Sequence, residues 1–298
     1  MTTSTANSDL RARQDKGRKT AQNREKWASV RTYISAAVIL IWCLAPAYWM
    51  VVTAFREVGF TYDTTPWPTH VTLDNFITAF DTSFGNKFGQ ALINSIIIGV
   101  TVTVISLVIG VFAAYALARL NFRFKYLVLG FILGASMFPG VALITPLFQL
   151  FTNIGWMGTY QALIIPNISF VLPLTVYTLT SFFREMPWEL EESARVDGCT
   201  QGEAFRKVIM PLAAPAIFTT AILAFISSWN EFLIASQLSN EATKPVTVAI
   251  ASFAGAQPNQ IPYTAIMAAG TIVTIPLVIL VLVFQRKIVA GLTAGAVK

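Results

Sequence analysis

"EESARVDGCTQGEAFRKVIMPLAAP" occupies residues 191–215 and packs four acids, three bases, two glycines and two prolines into 25 positions. On both sides of it the chain is greasy enough to live in lipid. Over all 298 residues it is 55% hydrophobic and 12% charged, with a mean hydropathy of +0.61. A soluble domain carries about 25% charged residues. The chain is therefore an integral membrane protein with a charged, glycine-broken passage deep in its sequence. The two cysteines fall in an apolar run (Cys43) and in the charged passage (Cys199). Thiols on different sides of a membrane cannot bridge, so both are read as free.

Six stretches of about 20 residues are long and apolar enough to cross a bilayer. They run Tyr33–Ala54, Ala91–Ala118, Tyr126–Leu150, Gln161–Phe183, Leu212–Ala235 and Thr264–Phe284, and Glu231 is the sole ionisable Asp, Glu, Lys or Arg within them. Six crossings leave both termini on one side, and the bases say which. The N-terminal tail to Arg31, the connections after spans 2 and 4, and the C-terminus hold 18 of the 21 Lys and Arg residues. The opposite loops hold Arg56, Lys87 and Lys244. That asymmetry puts both termini and the charged passage in the cytoplasm. It also accounts for the formal charge of +6 without nucleic acid.

Residues 1–32 read as a disordered, basic cytoplasmic tail. Span 1 is too long and too poorly flanked by small residues for a cleaved leader, so it is expected to be retained. The long outer loop at 55–90 contains "TTPWPTHVTLDNF" and the only histidine, His70, which reads as a surface residue. The outer loop before the last span contains "SFAGAQPNQIPY", rich in turn formers. Pro46, Pro139, Pro146, Pro166, Pro173, Pro215 and Pro276 lie in or at the ends of spans, and each removes a backbone donor and predicts a kink. Gly110, Ala114 and Ala118 in span 2, and Gly130 and Gly134 in span 3, are spaced for close helix approach.

Within the charged passage, Pro187 suits a first helical position, and Glu189, Glu191 and Glu192 favour the positive end of a helix. Gly198 offers the left-handed residue that ends it, and Thr200 with Glu203 forms a capping box that starts a second. Ala204, Phe205, Val208, Ile209 and Leu212 recur on one face of that second helix, before Pro211 and Pro215 bend the chain back to the membrane. The result is a helix–turn–helix at the cytoplasmic surface. Two readings fit it: an amphipathic loop resting on headgroups, or a lug that carries force from a soluble partner, which structured helices between spans favour modestly.

The run Glu192-Ser193-Ala194-Arg195-Val196-Asp197-Gly198, with Phe205, Ile209, Pro211 and Pro215 at their offsets, resembles the EAA signature of binding-protein-dependent ABC importer permeases. Ser193 and Cys199 depart from the signature but are small. "ALINSIIIG", "AAYALARLNF", "MFPG", "SSWNEFL" and the ending "FQRKIVAGLTAGAVK" are similar to the sugar branch, closest to the maltose/trehalose type. The resemblance implies an all-α integral membrane fold with six transmembrane helices of the methionine-importer type. Domains follow as the tail to residue 32, the permease domain 33–290 with its coupling segment 184–211, and a cytoplasmic tail 291–298.

It further implies that Glu192, Ala194, Asp197, Gly198, Phe205 and Pro211 couple the chain to an ATPase. Gly291, Leu292, Thr293 and Gly295 would extend between two ATPase subunits, and the loop with Gly255, Gln257, Pro258 and Asn259 would reach an external sugar-binding protein or lipoprotein. A second, different permease subunit and membrane lipid complete the partners. The setting is the plasma (inner) membrane of a prokaryote, and the cargo is a sugar such as trehalose or maltose. ATP and magnesium belong to the partner ATPases.

The residues themselves agree with this division of labour. There is no G-x-x-x-x-G-K-[ST] phosphate loop, no metal-ligand cluster and no catalytic constellation, so no cofactor is expected on this chain. Asn94, Asn167, Trp229, Asn230 and Glu231 are the polar and aromatic groups placed to line a neutral sugar's path, although Trp229 fits an interfacial anchor as well. An ion-coupled secondary transporter is the alternative. It would need mid-membrane ionisable groups and internal repeats, whereas only Glu231 offers itself and no repeat is visible. If the C-terminal tail contacts an ATPase, deleting Gly291–Lys298 lowers the ATPase recovered by co-purification. Undiminished recovery would refute the contact.

Overall fold

The computed structural model describes residues 3–83, 85–253 and 261–294, with the backbone alone at 3–26 and 285–294. Among them there is no strand, only an isolated bridge between Arg56 and Val71. Five helices are long and apolar enough to cross a membrane, or six if one sharply bent pair forms a single span. The long ones are α1 (Thr3–Ala54), α3 (Phe88–Arg119), α6 (Tyr160–Glu185), α9 (Met210–Trp229) and α12 (Tyr263–Ala294). Shorter helices join them: α2 (Asp74–Phe80), α4 (Lys125–Ser136), α5 (Gly140–Asn153), α7 (Glu189–Val196), α8 (Gln201–Ala204), α10 (Leu233–Leu238) and α11 (Val246–Ala251).

α3 is the spine, packing on α6 and α9 along most of its length. Its small residues make that approach possible. A Cβ added at Gly110 would stand 2.6 Å from Cγ2 of Thr175 on α6, and Ala114 and Ala118 are buried beside Leu179 and Phe183. Gly130 and Gly134 behave differently, because nothing lies within 4 Å of a Cβ at either. The close approach expected of span 3 is thus absent within this chain.

Further expectations change. The third span is two helices, α4 and α5, meeting at 87°. Pro139 takes an extended conformation as the N-cap of α5, and the proline ring drives the residue before it out of the helical region. Pro46, Pro146, Pro166, Pro173, Pro215 and Pro276 instead sit inside continuous helices. The second helix of the charged passage does not end before the fifth span. Gln201–Trp229 runs through as one helix, with a π-helical stretch at Phe205–Ile209. There the amide of Met210 donates to the carbonyl of Phe205, and this widened turn accommodates the missing N–H of Pro211. The fifth span therefore stops at Trp229, before Glu231. α1 takes in the backbone from Thr3 to Ala54. Extending an existing helix avoids the cost of nucleation.

The loop that follows α1 is fastened by Arg56, whose side chain is fully buried. Its Nη1 donates to the carbonyl of Asp63 at 2.5 Å and its Nη2 to that of Thr65, and the guanidinium lies 4.9 Å from the centre of the Trp49 ring. Asn75 ties the base of the loop by donating to the carbonyls of Ala54 and Arg56 at 2.9 and 2.6 Å. Hydrogen bonds from Thr65 hold the half-buried Asp63 carboxyl below the usual carboxylate range. His70 stacks on Phe60 with ring centres 3.8 Å apart.

Gly110→Ala should lower the melting temperature of the purified chain in detergent, overpacking of this kind costing roughly 1–3 kcal/mol. Adding Thr175→Ser should restore it, because serine lacks the obstructing methyl yet keeps the hydroxyl that donates to Val171. A double variant as unstable as the single would show that the contact is not the cause.

Candidate functional site

The charged passage is built by local hydrogen bonding. α6 ends at Glu185, Met186 is extended and Trp188 caps α7. Pro187 therefore precedes the cap and is not the first helical residue. Glu189, Glu191 and Glu192 fill the first turn of α7 and Arg195 its last, matching the helix dipole. At the far end Gly198 has φ +92°. Its amide donates to Arg195 at 3.1 Å and that of Cys199 to Ala194 at 3.0 Å, the paired bonds of a Schellman cap. Thr200 then opens α8. Its hydroxyl accepts from the amide of Glu203, whose carboxylate accepts the amide of Thr200 at 3.0 Å, and Lys207 pairs with Glu203 at 2.9 Å.

What holds this hairpin to the membrane body is a polar joint that sequence reasoning missed. Glu191 is only 5% exposed. Tyr115, near the C-terminal end of α3, donates its hydroxyl to Glu191 Oε1 at 2.5 Å, and Arg119 Nε lies 3.8 Å from Glu191 Oε2. Arg119 Nη2 donates to the carbonyl of Met186 at 2.8 Å, and its guanidinium stacks 4.4 Å from the Trp188 ring centre. Phe205 adds an aromatic contact to Tyr115 at 4.5 Å. The available signal was helical spacing: Glu191 and Ala194, one turn apart, are the buried residues of α7.

The six expected coupling residues divide accordingly. Ala194 is buried and Phe205 half-buried, both against the body, while Glu192, Asp197, Gly198 and Pro211 are exposed. Val196, also missed, stands 87% exposed at the tip of α7, beside Arg195 and Asp197. α7 thus presents a mixed apolar and charged face with open space around Gly198. Of the expected tail contacts, Gly291, Leu292 and Thr293 have helical backbone in α12, and Gly295 lies outside the described residues.

Most of the expected path residues are hydrogen-bonded or packed within the fold. Asn94 is fully buried. Its Nδ2 donates to the carbonyls of Ala242 and Lys244, both at 3.0 Å, and its Oδ1 accepts from Tyr160 at 2.7 Å and Gln90 at 3.0 Å. Asn167 donates to Ser228 Oγ at 3.0 Å. Trp229, 2% exposed, packs among Phe88, Val246 and Ala269, so it is no interfacial anchor. The Glu231 carboxylate caps α10 by accepting the amides of Ile234 and Ala235 at 2.7 and 3.0 Å. Asn230 alone of the five is exposed. Gly255, Gln257, Pro258 and Asn259 fall outside the described residues.

A second set was missed. Thr145, Gln149 and Asn153 recur every four residues along α5, all exposed, and their side chains make no hydrogen bond among the described residues. The opposite face buries Phe151 with Leu147 against α10. Neutral amides left open on a membrane helix face a cavity or a partner. Among the described residues no group of three His, Cys, Asp or Glu side chains gathers to hold a metal.

Residues 106–293 match the family described as "Binding-protein-dependent transport system inner membrane component". The chain is 45% identical to the trehalose transport system permease protein SugB of Mycobacterium tuberculosis, over 93% of this chain and 99% of that one. It is 40% identical to the trehalose/maltose transport system permease protein MalG of Thermococcus litoralis, over 89% and 95%. Identity to the sulfoquinovosyl glycerol transport system permease protein SmoH of Agrobacterium fabrum is 38%, over 89% and 93%. Among solved structures, a bacterial ABC transporter that imports the acidic polysaccharide alginate has a chain of the same fold. Its TM-score is 0.71 at 21% identity, covering 87% of this chain and 95% of that one.

Gly198 is the position at which the site is most easily tested. A β-branched residue at φ +92° costs roughly 1–3 kcal/mol, whereas asparagine tolerates the left-handed region. In a Cys43→Ser background, Gly198→Val should raise the rate at which maleimide labels the half-buried Cys199, and Gly198→Asn should not. Equal rates in all three would show that the turn is not held by its glycine.

Proposed function

Because the chain belongs to the family of binding-protein-dependent transport system inner membrane components, we propose that it is the permease subunit of an ATP-driven sugar importer in a prokaryotic inner membrane. The observation that carries the reading is α7. This eight-residue helix is bolted to the inner end of α3 by a buried carboxylate, yet turns Glu192, Val196, Asp197 and the Gly198 turn outward. A face so held and so exposed suits docking of a soluble ATPase, whose nucleotide and magnesium supply the energy. Ala194 and Phe205 support that face from behind, and Pro211 is exposed at the start of α9. The tail from Gly291 is read as a second ATPase contact, with Leu292, Thr293 and Gly295.

In this reading α4 and α5 form one broken span, which gives six crossings, the methionine-importer-type core and cytoplasmic termini. A second, different permease subunit completes the pathway, and a sugar-binding protein docks outside on the loop with Gly255, Gln257, Pro258 and Asn259. The amides of Asn230, Gln149 and Asn153, with the hydroxyl of Thr145, line the path of a neutral sugar. Each can both donate to and accept from hydroxyl groups. The names of the two relatives at 45% and 40% identity favour a glucose disaccharide, trehalose or maltose, as cargo.

The test is reconstitution of the chain in liposomes with its partner permease, ATPase and binding protein. ATP hydrolysis and labelled-sugar uptake should both rise with trehalose or maltose, and Gly198→Val should abolish uptake while the protein still inserts. Sugar uptake by the purified chain alone, or uptake driven by an ion gradient without ATP, would overturn the assignment.

A further inference from the structure

α3 is gripped at both ends by polar side chains. At its inner end Tyr115 and Arg119 hold Glu191 of α7, as described. At its outer end, Asn94 spends its whole amide on the segment 242–244 and on Tyr160 and Gln90. Next to it, Ser95 Oγ accepts the amide of Val246 at 2.8 Å, fixing the start of α11. The two grips are about 30 Å apart at about 1.5 Å of rise per residue. Between them α3 is buried through Ile98, Val102, Gly110, Val111 and Ala114.

The helix between the grips is also unusual in its sequence. Of the five helices long enough to cross a membrane, α3 alone carries no internal proline, whereas α1, α6, α9 and α12 each hold at least one. An unbroken hydrogen-bond ladder resists bending where proline-bearing helices have a soft point. A helix clamped at each end and stiff in between moves as one body. Displacement of the outer segment 242–246 then appears at α7, and the reverse.

We infer that α3 is a strut that transmits the state of the outer surface to the ATPase-docking helix, with Asn94 and Ser95 as positioning residues outside and Tyr115, Arg119 and Glu191 as positioning residues inside. The inference rests on the importer reading, which gives these two ends their partners. It assigns Asn94 to signal transmission instead of sugar contact. Rigid elements with clamped ends are one physical means of coupling distant sites.

The experiment measures, in equal amounts of assembled importer, the ratio of ATP hydrolysis with and without sugar-loaded binding protein. The sugar is whichever stimulates the wild type most. Ser95→Ala and Tyr115→Phe remove one hydrogen bond each and are mild enough to leave the helix folded. Each should lower the ratio about fivefold, the low end of measured coupling between sites. Together they should lower it no further than the worse single variant, because both cut the same line. Sites this far apart that act independently combine additively in free energy, so a loss of about 25-fold in the double variant would overturn the strut. Wild-type ratios in both single variants would overturn it too. A wild-type importer whose ATPase ignores every sugar-loaded binding protein would instead take down the importer reading, and the strut with it.

Discussion

A carboxylate cannot be left unpaired against the apolar inner ends of a helix bundle, and Glu191 is placed there. Removing one partner of such a buried pair costs about 3–5 kcal/mol. Tyr115 and Arg119 therefore dictate where α7 sits and how it is rotated. An isolated helix of eight residues is too short to be stable in water, so its order comes from this joint, the Schellman turn and the capping box that follows. Once Glu191 and Ala194 point inward, the helical repeat leaves Glu192, Arg195 and Val196 no choice but to point out. The exposed face of α7 is thus a by-product of the anchor.

The same logic separates the prolines. A proline inside a helix frees one carbonyl, which neighbours or a widened turn can absorb, as the π-helical stretch does before Pro211. Pro139 breaks its span because it combines an extended conformation with the start of a new helix at Gly140. The outcome is a bundle in which one long member, α3, has no internal proline and packs on both α6 and α9, while the other long helices each carry one or more.

Features encoded within about five residues were legible in the sequence. The glycine cap and the Thr200–Glu203 box follow from nearest neighbours, and the first, second, fourth and sixth apolar runs from simple counts. Partners distant along the chain were not legible. Asn94 looked like a path residue because a polar group in lipid needs a reason, and its reason lies in carbonyls at Ala242 and Lys244. Glu231 was assigned to a span because helix ends cannot be read to better than a few residues. Its carboxylate in fact starts α10. Arg119 was counted as a topology charge, and nothing local said that it was also half of a buried pair. The amphipathic stripe of α5 could have been found by its four-residue repeat, had the third span not been read as one uniform apolar run.

Arg56 alters the electrostatic ledger of the molecule. Enclosed by backbone carbonyls and the Trp49 face, its charge is spoken for before any lipid or solvent meets it. Lys244 on the same side is neutralised by Glu241 at 2.5 Å. Among the described residues that leaves Lys87 as the outer base with no such cage. In the folded protein two of these three loop bases are thus caged or paired within the chain, so the positive charge left for a partner or a headgroup is smaller than a residue tally suggests.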